Sequence, residues 1–171
     1  MNENTYGNWP SYSPDEILPG LYQGGTEDDG VIGNPKPAGH YDIAHQAFDV
    51  VVTLYADAQP AAWGVEELRF GFWDAELNEF FIRKALRMAR IAHARWRGGE
   101  RVLIRCQAGV NRSGFIMALV LMLEGLSAER AIEHIRECRS PFVLSNQHFE
   151  HWLLTEAQDR LNLVSPSSNV A

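Results

Sequence analysis

The run from Val102 to Glu124 constrains this chain more than any other stretch. It reads Val-Leu-Ile-Arg-Cys-Gln-Ala-Gly-Val-Asn-Arg-Ser-Gly and continues into an almost wholly apolar segment. Val102, Leu103 and Ile104 read as a buried strand, and Phe115 to Leu123 as a buried helix. A strand, a turn and a helix N-terminus therefore meet around one cysteine, Cys106. The first N–H groups of a helix lack intrahelical acceptors and carry partial positive charge, so the turn from Gln107 to Ser113 is a natural cradle for an anion.

A cysteine nucleophile works as its thiolate, and an ordinary thiol titrating near ~8.5 is mostly protonated at neutral pH. Positive potential must come from its surroundings. Cys106 has two sources: the helix N-terminus and Arg112, which the loop can curl back over a bound anion. The planar guanidinium fork matches two phosphoryl oxygens, a geometry that lysine does not offer. Gly109 lets successive N–H groups converge, and Gly114 lets the helix start press close. Ser113 can donate to the sulfur and stabilise it as a leaving group. The cluster reads as covalent phosphoryl transfer through a cysteinyl-phosphate, with the loop Gln107, Ala108, Gly109, Val110, Asn111 and Arg112 binding the phosphate. A buried, inert cysteine is the plainer reading of such an apolar context. However, Arg six places after a given Cys with Ser or Thr next arises by chance in roughly one case in a hundred or fewer.

Elsewhere, strands alternate with helices, which predicts an α/β chain with a layered sheet. Ile17 to Gly24 reads as a turn into a first, edge strand, punctuated by Pro19 and Gly20, and Gly25 to Gly39 as a loop. His40 to Phe48 is a candidate short helix. The run Val50 to Tyr55 is expected as a central strand covered on both sides, and Glu67 to Trp73 as another strand. From Leu77 a helix places Leu77, Phe81, Ala85, Met88 and Ala92 on one face and ends at Gly98-Gly99. Ser127 is placed to cap a helix carrying Ala131, Ile132, Ile135 and Cys138, which Pro141 stops. A last helix is expected from near Asn146 to about Leu161. We divide the chain into an irregular arm (1–14), one domain (15–161) and a flexible tail (162–171).

Cys106-Gln-Ala-Gly-Val-Asn-Arg112-Ser113-Gly114 resembles the signature of the cysteine-dependent protein tyrosine phosphatase superfamily, which is Cys, five residues, Arg, then Ser or Thr. The likeness is closest to its compact dual-specificity branch and extends to the flanks. Ile17-Leu18-Pro19-Gly20-Leu21-Tyr22 looks like that branch's first strand, and Ser145-Asn146-Gln147-His148-Phe149 like the start of its closing helix. The resemblance implies a central mixed β-sheet flanked by helices on both faces and hydrolysis without metal or cofactor. It also implies an upstream aspartic acid that protonates the leaving oxygen and then activates water. Asp74 resembles that acid in position, with an N-cap as its plainer role, and Asp57 is the second candidate. The chain departs from the family at Arg105, where a histidine usually precedes the cysteine; a cation there needs a carboxylate partner to avoid being a buried orphan charge.

The expected substrate is a phosphorylated protein. With net charge −7, the chain is not expected to make extensive contact with nucleic acid or to bind anionic membrane. Two cysteines and no N-terminal apolar leader fit a reducing, cytoplasmic setting. Three alternatives stand beside a protein phosphatase: a phosphoinositide phosphatase, disfavoured by the uncharged Gln107, Ala108, Val110 and Asn111; an RNA 5′-phosphatase, whose loop Asn111 resembles; and a silent phosphate-binding adaptor. His148 and His151 beside Glu150 invite a metal reading, but no third ligand lies near in sequence, so a solvated or partly packed face is preferred. Cys138 is read as core.

Overall fold

The computed structural model describes residues 10–26, 48–61 and 64–163. In chain order these form β1 (Asp15–Leu18), β2 (Leu21–Gly24), β3 (Val50–Thr53), β4 (Glu66–Arg69), α1 (Glu79–Arg97), β5 (Val102–Arg105), α2 (Arg112–Leu123), α3 (Ala128–Cys138), α4 (Gln147–Thr155) and α5 (Ala157–Asn162). The sheet runs β1-β2-β5-β3-β4, antiparallel between β1 and β2 and parallel elsewhere. It is the expected mixed sheet of an α/β fold. The cysteine-bearing stretch supplies its middle strand, β5, so Cys106 leaves the sheet at its centre.

Local chemistry explains the elements and two departures from expectation. The turn expected at Pro19 and Gly20 is present, but it joins two strands into a hairpin, and the strand it leads into is not the edge. Pro19 presets one turn position and Gly20, at φ 82°, takes the left-handed one, so β1 becomes the edge and β2 an interior strand. Glu16 closes the turn by accepting the Gly20 N–H at 2.9 Å. The other departure is the last helix, which breaks at Glu156 (φ −125°, ψ −27°) into α4 and α5. Strand β4 is shorter than the expected Glu67 to Trp73 and stops at Arg69. Strand β3 is buried at every residue between β4 and β5, as a β-branched run covered on both faces should be.

Helix α1 begins two residues after Leu77, because the Asn78 side chain accepts the Phe81 N–H at 3.0 Å and caps it. Its inward face carries Ala85, Met88 and Ala92, and Gly98 ends it. Ser127 caps α3 through the Arg130 N–H at 3.3 Å. Helix α2 is buried on every side from Ser113 to Met122, consistent with its unbroken apolar sequence. All the described helices share one core with Val50, Val52, Val102 and Ile104 from one sheet face; Phe48, Val51 and Leu103 pack on the other. All but Phe48 of the helix expected at His40 to Phe48, and most of the Gly25 to Gly39 loop, lie outside the described residues, as do residues 1–9, 62–63 and 164–171.

Candidate active site

Strand alternation sends Cys106 and Arg105 to opposite sheet faces. Cys106 joins the core of Val102 and Ile104, and its N–H is held by the Gly24 carbonyl at 3.3 Å. Its Sγ lies 3.3 Å from the buried Ser113 Oγ, which can donate to a thiolate. The loop between them turns its carbonyls away from the cysteine. The Gln107 carbonyl accepts the Thr26 N–H at 2.9 Å, Gly109 accepts Gln23 Nε2 at 3.1 Å, and Val110 accepts the Leu144 N–H at 3.4 Å. In a trans peptide the following N–H points the other way, so each of these bonds aims an amide at the inside of the loop.

Gly109 sits at φ 70°, and a Cβ there would fall 2.5 Å from the Gly24 carbonyl carbon. The loop can cross over β2 this closely only with glycine. Gly114 likewise lets α2 press on Val143, whose Cγ1 a Cβ would meet at 2.7 Å. Leu144, which supplies the N–H for Val110, is held at φ 61°, a conformation that costs a non-glycine residue of the order of 1 kcal/mol.

Helix α2 starts at Arg112, and its N-cap residue, Asn111, makes no side-chain capping bond. The first-turn amides are thus left to an anion. Arg112 is steadied by the Phe72 carbonyl (Nη1, 3.1 Å), more loosely by Gln107 Oε1 (3.5 Å), and by the Tyr55 ring 5.4 Å away. Its buried Nε has no acceptor among the described residues.

The Asn111 side chain reaches Asp74 instead: Nδ2 donates to Oδ2 at 2.9 Å, while Asn146 Nδ2 donates to Oδ1 at 2.7 Å. Asn111 Oδ1 in turn accepts the Asn146 N–H and the Ser145 hydroxyl. Asp74 is therefore tied to the rim of the cysteine loop by the loop's own residue and by the cap of α4. Asp57 lies exposed in the turn after β3. His148 and His151 sit on α4, and His148 Nε2 stands 3.9 Å from Glu76. Cys138 is partly buried against the core.

Arg105 has the partner its burial demands. It is only 2% exposed, donates from Nε to Thr53 Oγ1 at 2.9 Å and from Nη2 to the Gln59 carbonyl at 2.6 Å, and lies 3.3 Å from Glu67 Oε1. Thr53 is the register partner of both Arg105 and Arg69, which places all of them with Glu67 on one sheet face. Burial opposes ionisation of Glu67, but bonds from Thr53 and the Ala61 N–H, with the charges of Arg69 and Arg105, outweigh it and hold the carboxyl below its ordinary value. A group depressed in this way adds stability above its unfolded value, and that stability is lost as pH falls through the folded one. The unfolding midpoint should therefore drop as pH falls below the ordinary carboxylate value, and drop less in Glu67→Gln, as thermal melts taken at falling pH will test.

The sequence alone does not point to Glu67, Thr53, Asn146 or Gln23 at this site. The nearest signal was alternation at Glu67 and Arg69, which puts two opposite charges on one strand face. Asn146 was visible only as the start of a helix.

The family model "Dual specificity phosphatase, catalytic domain" matches residues 48–159. The chain is 32% identical over 144 residues to dual specificity protein phosphatase 12 of Mus musculus, which takes in 81% of this chain and 39% of that relative. Its fold is similar to the crystal structure of Tk-PTP in the active form (26% identity, TM-score 0.69, 86% of this chain and 97% of that one). It is also similar to a mouse putative dual specificity phosphatase complexed with zinc tungstate (22% identity, TM-score 0.71, 95% of this chain and 94% of that one). The cysteine loop, its helix and the acid-bearing connection all fall within the matched region, and the chain belongs to the dual specificity phosphatase catalytic domain family.

Proposed function

We propose that this chain hydrolyses phosphotyrosine, and also phosphoserine and phosphothreonine, in proteins through a phosphocysteine intermediate. The observation that carries the reading is Arg112. A buried guanidinium Nε without an acceptor among the described residues, at an uncapped helix start next to Cys106, is a donor set built for an oxyanion.

In the first step the Cys106 thiolate attacks phosphorus. The S–P bond forms, the ester P–O bond breaks, and Asp74 gives its proton to the leaving oxygen. Each Asp74 oxygen accepts only one amide bond, which leaves a lone-pair site on it to carry that proton. In the second step its carboxylate takes a proton from water, whose oxygen attacks phosphorus. The S–P bond then breaks to release inorganic phosphate, and the Ser113 hydroxyl donates to the returning thiolate. Arg112 and the loop amides hold the equatorial oxygens throughout.

The match of residues 48–159 to the dual specificity phosphatase catalytic domain favours dual specificity over strict tyrosine specificity. The uncharged loop side chains of Gln107, Ala108, Val110 and Asn111 favour a protein monoester over a polyphosphorylated head group. Free thiols at Cys106 and Cys138 accord with a reducing, cytoplasmic setting.

The test compares kcat/KM for phosphotyrosine and phosphothreonine peptides, a phosphoinositide and 5′-triphosphorylated RNA, all in chelator. Peptides should dominate; preference for lipid or RNA would overturn the substrate assignment. In the same panel Asp74→Asn should lower kcat about 10²–10⁴-fold on phosphothreonine peptide, whose alkoxide leaves poorly, and less on a nitrophenyl phosphate. Equal losses on both would remove Asp74 as the acid.

A further inference from the structure

We propose that Arg139 is a positioning residue for the phosphate loop, and that through it the segment Ser11–Asp15 sets the orientation of the anion-binding amides. The inference rests on reading the loop as an oxyanion site. It concerns a residue one position beyond α3 and far from the Cys106 motif in sequence.

Arg139 has a fully buried side chain whose donors all meet oxygens. Nε donates to the Gly109 carbonyl at 2.6 Å, and Nη2 reaches the Ala108 carbonyl at 3.5 Å. Nη1 donates to the Gln23 carbonyl (3.1 Å), the Ser13 carbonyl (3.1 Å) and Asp15 Oδ2 (2.6 Å), and Nη2 to the Ser11 carbonyl (2.9 Å). One side chain thus joins the floor of the loop, the end of β2 and the arm before β1.

Peptide geometry makes this consequential. The Gly109 carbonyl and the Val110 N–H belong to one trans peptide, as do the Ala108 carbonyl and the Gly109 N–H. Holding these carbonyls on the Arg139 side turns both N–H groups to the other side, into the loop. Without that hold the Ala108 carbonyl would lose its Arg139 donor and the Gly109 carbonyl would keep only Gln23 Nε2 at 3.1 Å, so the two peptides could rotate more freely, and a carbonyl facing the anion repels what an amide attracts. Glycine at 109 makes such a rotation easy, so the constraint must come from outside the loop.

The arm completes the device. Its segment also accepts the Gly25 N–H at the Tyr12 carbonyl (3.0 Å) and lies under β2, where a Cβ on Gly24 would meet Pro14 at 3.2 Å. Burial draws the Arg139 pKa down; Asp15, by charge and hydrogen bond, and the nearby Cys106 pull it back up. Asp15 is thus the counter-ion that lets a buried guanidinium stay beneath the loop.

The measurement is competitive inhibition by inorganic phosphate, with kcat and KM for an aryl phosphate, on full-length wild type, Arg139→Lys, Arg139→Met and Asp15→Asn, each corrected for folded fraction by thermal melt. Lysine keeps the charge but cannot bridge these oxygens. Expected are a phosphate Ki raised about tenfold or more and kcat/KM lowered about 10²-fold in folded Arg139→Lys, with a smaller change of the same sign in Asp15→Asn. Should Arg139→Met fail to fold, the other two variants carry the test. Wild-type Ki per folded molecule in either Arg139→Lys or Asp15→Asn overturns the proposal, since a purely structural contact would move only the melting midpoint. A wild-type protein that neither binds phosphate nor turns over substrate would instead overturn the reading of the loop itself.

Discussion

Cys106→Ser is expected to lower aryl phosphate hydrolysis by about 10⁴-fold or more, while leaving the melting midpoint within about 1 °C of wild type. The substitution exchanges one buried atom of similar reach, so the bond to the Gly24 carbonyl and the contact with Ser113 persist. What changes is chemistry. A helix N-terminus and one guanidinium can favour a thiolate but not an alkoxide, whose parent alcohol is a far weaker acid than a thiol. The phosphate loop is untouched, so the serine protein should still bind inorganic phosphate. Initial rates in chelator, with phosphate binding measured by calorimetry, separate the outcomes. Full activity in the serine protein would end the covalent mechanism.

The largest effect on stability is expected from Arg105→Met, a loss of about 3 kcal/mol. Methionine fills much of the volume but leaves the Thr53 hydroxyl and the Gln59 carbonyl without the Arg105 donors and takes from Glu67 one of its two cations, while the bonds from Thr53 and Ala61 to Glu67 remain. Arg69 stays 3.0 Å from Glu67 and softens the loss, which keeps it at the lower end for breaking a buried pair. Removing the carboxylate as well, in Arg105→Met with Glu67→Leu, should cost less than the two single losses added together, because the two side chains share one ion pair. Denaturant melts of the two single variants and the double variant close the cycle. A single variant within about 0.5 kcal/mol of wild type would show that the pair is screened by solvent.

Arg105 also shows where sequence reasoning reaches and where it stops. That a carboxylate must accompany it follows from one buried cation on a central strand, but which carboxylate does so depends on the register of β3, β4 and β5. The cysteine loop was legible as a strand–turn–helix unit because its residues are local: cysteine, glycine, arginine and serine lie within one loop between an apolar strand and an apolar helix. The run Val50 to Thr53 was legible for a similar reason, since a fully β-branched segment suits few places besides the middle of a sheet. That the Pro19-Gly20 turn joins two strands was hidden because they are only four residues each, too short for a period. The break at Glu156 carries neither glycine nor proline to announce it.

The supports of the site were illegible for a different reason. Asn111 and Asp74 are 37 residues apart, and Arg139 and Asp15 are 124 apart. No periodicity connects such pairs. A basic residue at the end of a helix is ordinarily read as a partner of the helix dipole, which is how Arg139 looks in sequence. Only the fold brings it beneath Gly109, with its guanidinium facing the phosphate loop instead of solvent.

The central claim is that phosphate passes through Cys106. Acid-quenched enzyme caught during turnover of a phosphotyrosine peptide, digested and examined by mass spectrometry, tests it most directly. The account predicts a phosphoryl group on the sulfur of the Cys106 peptide in wild type, enriched in Asp74→Asn if the carboxylate is the base for its hydrolysis, and absent in Cys106→Ser. Turnover at the wild-type rate with no phosphocysteine in either active protein would contradict it.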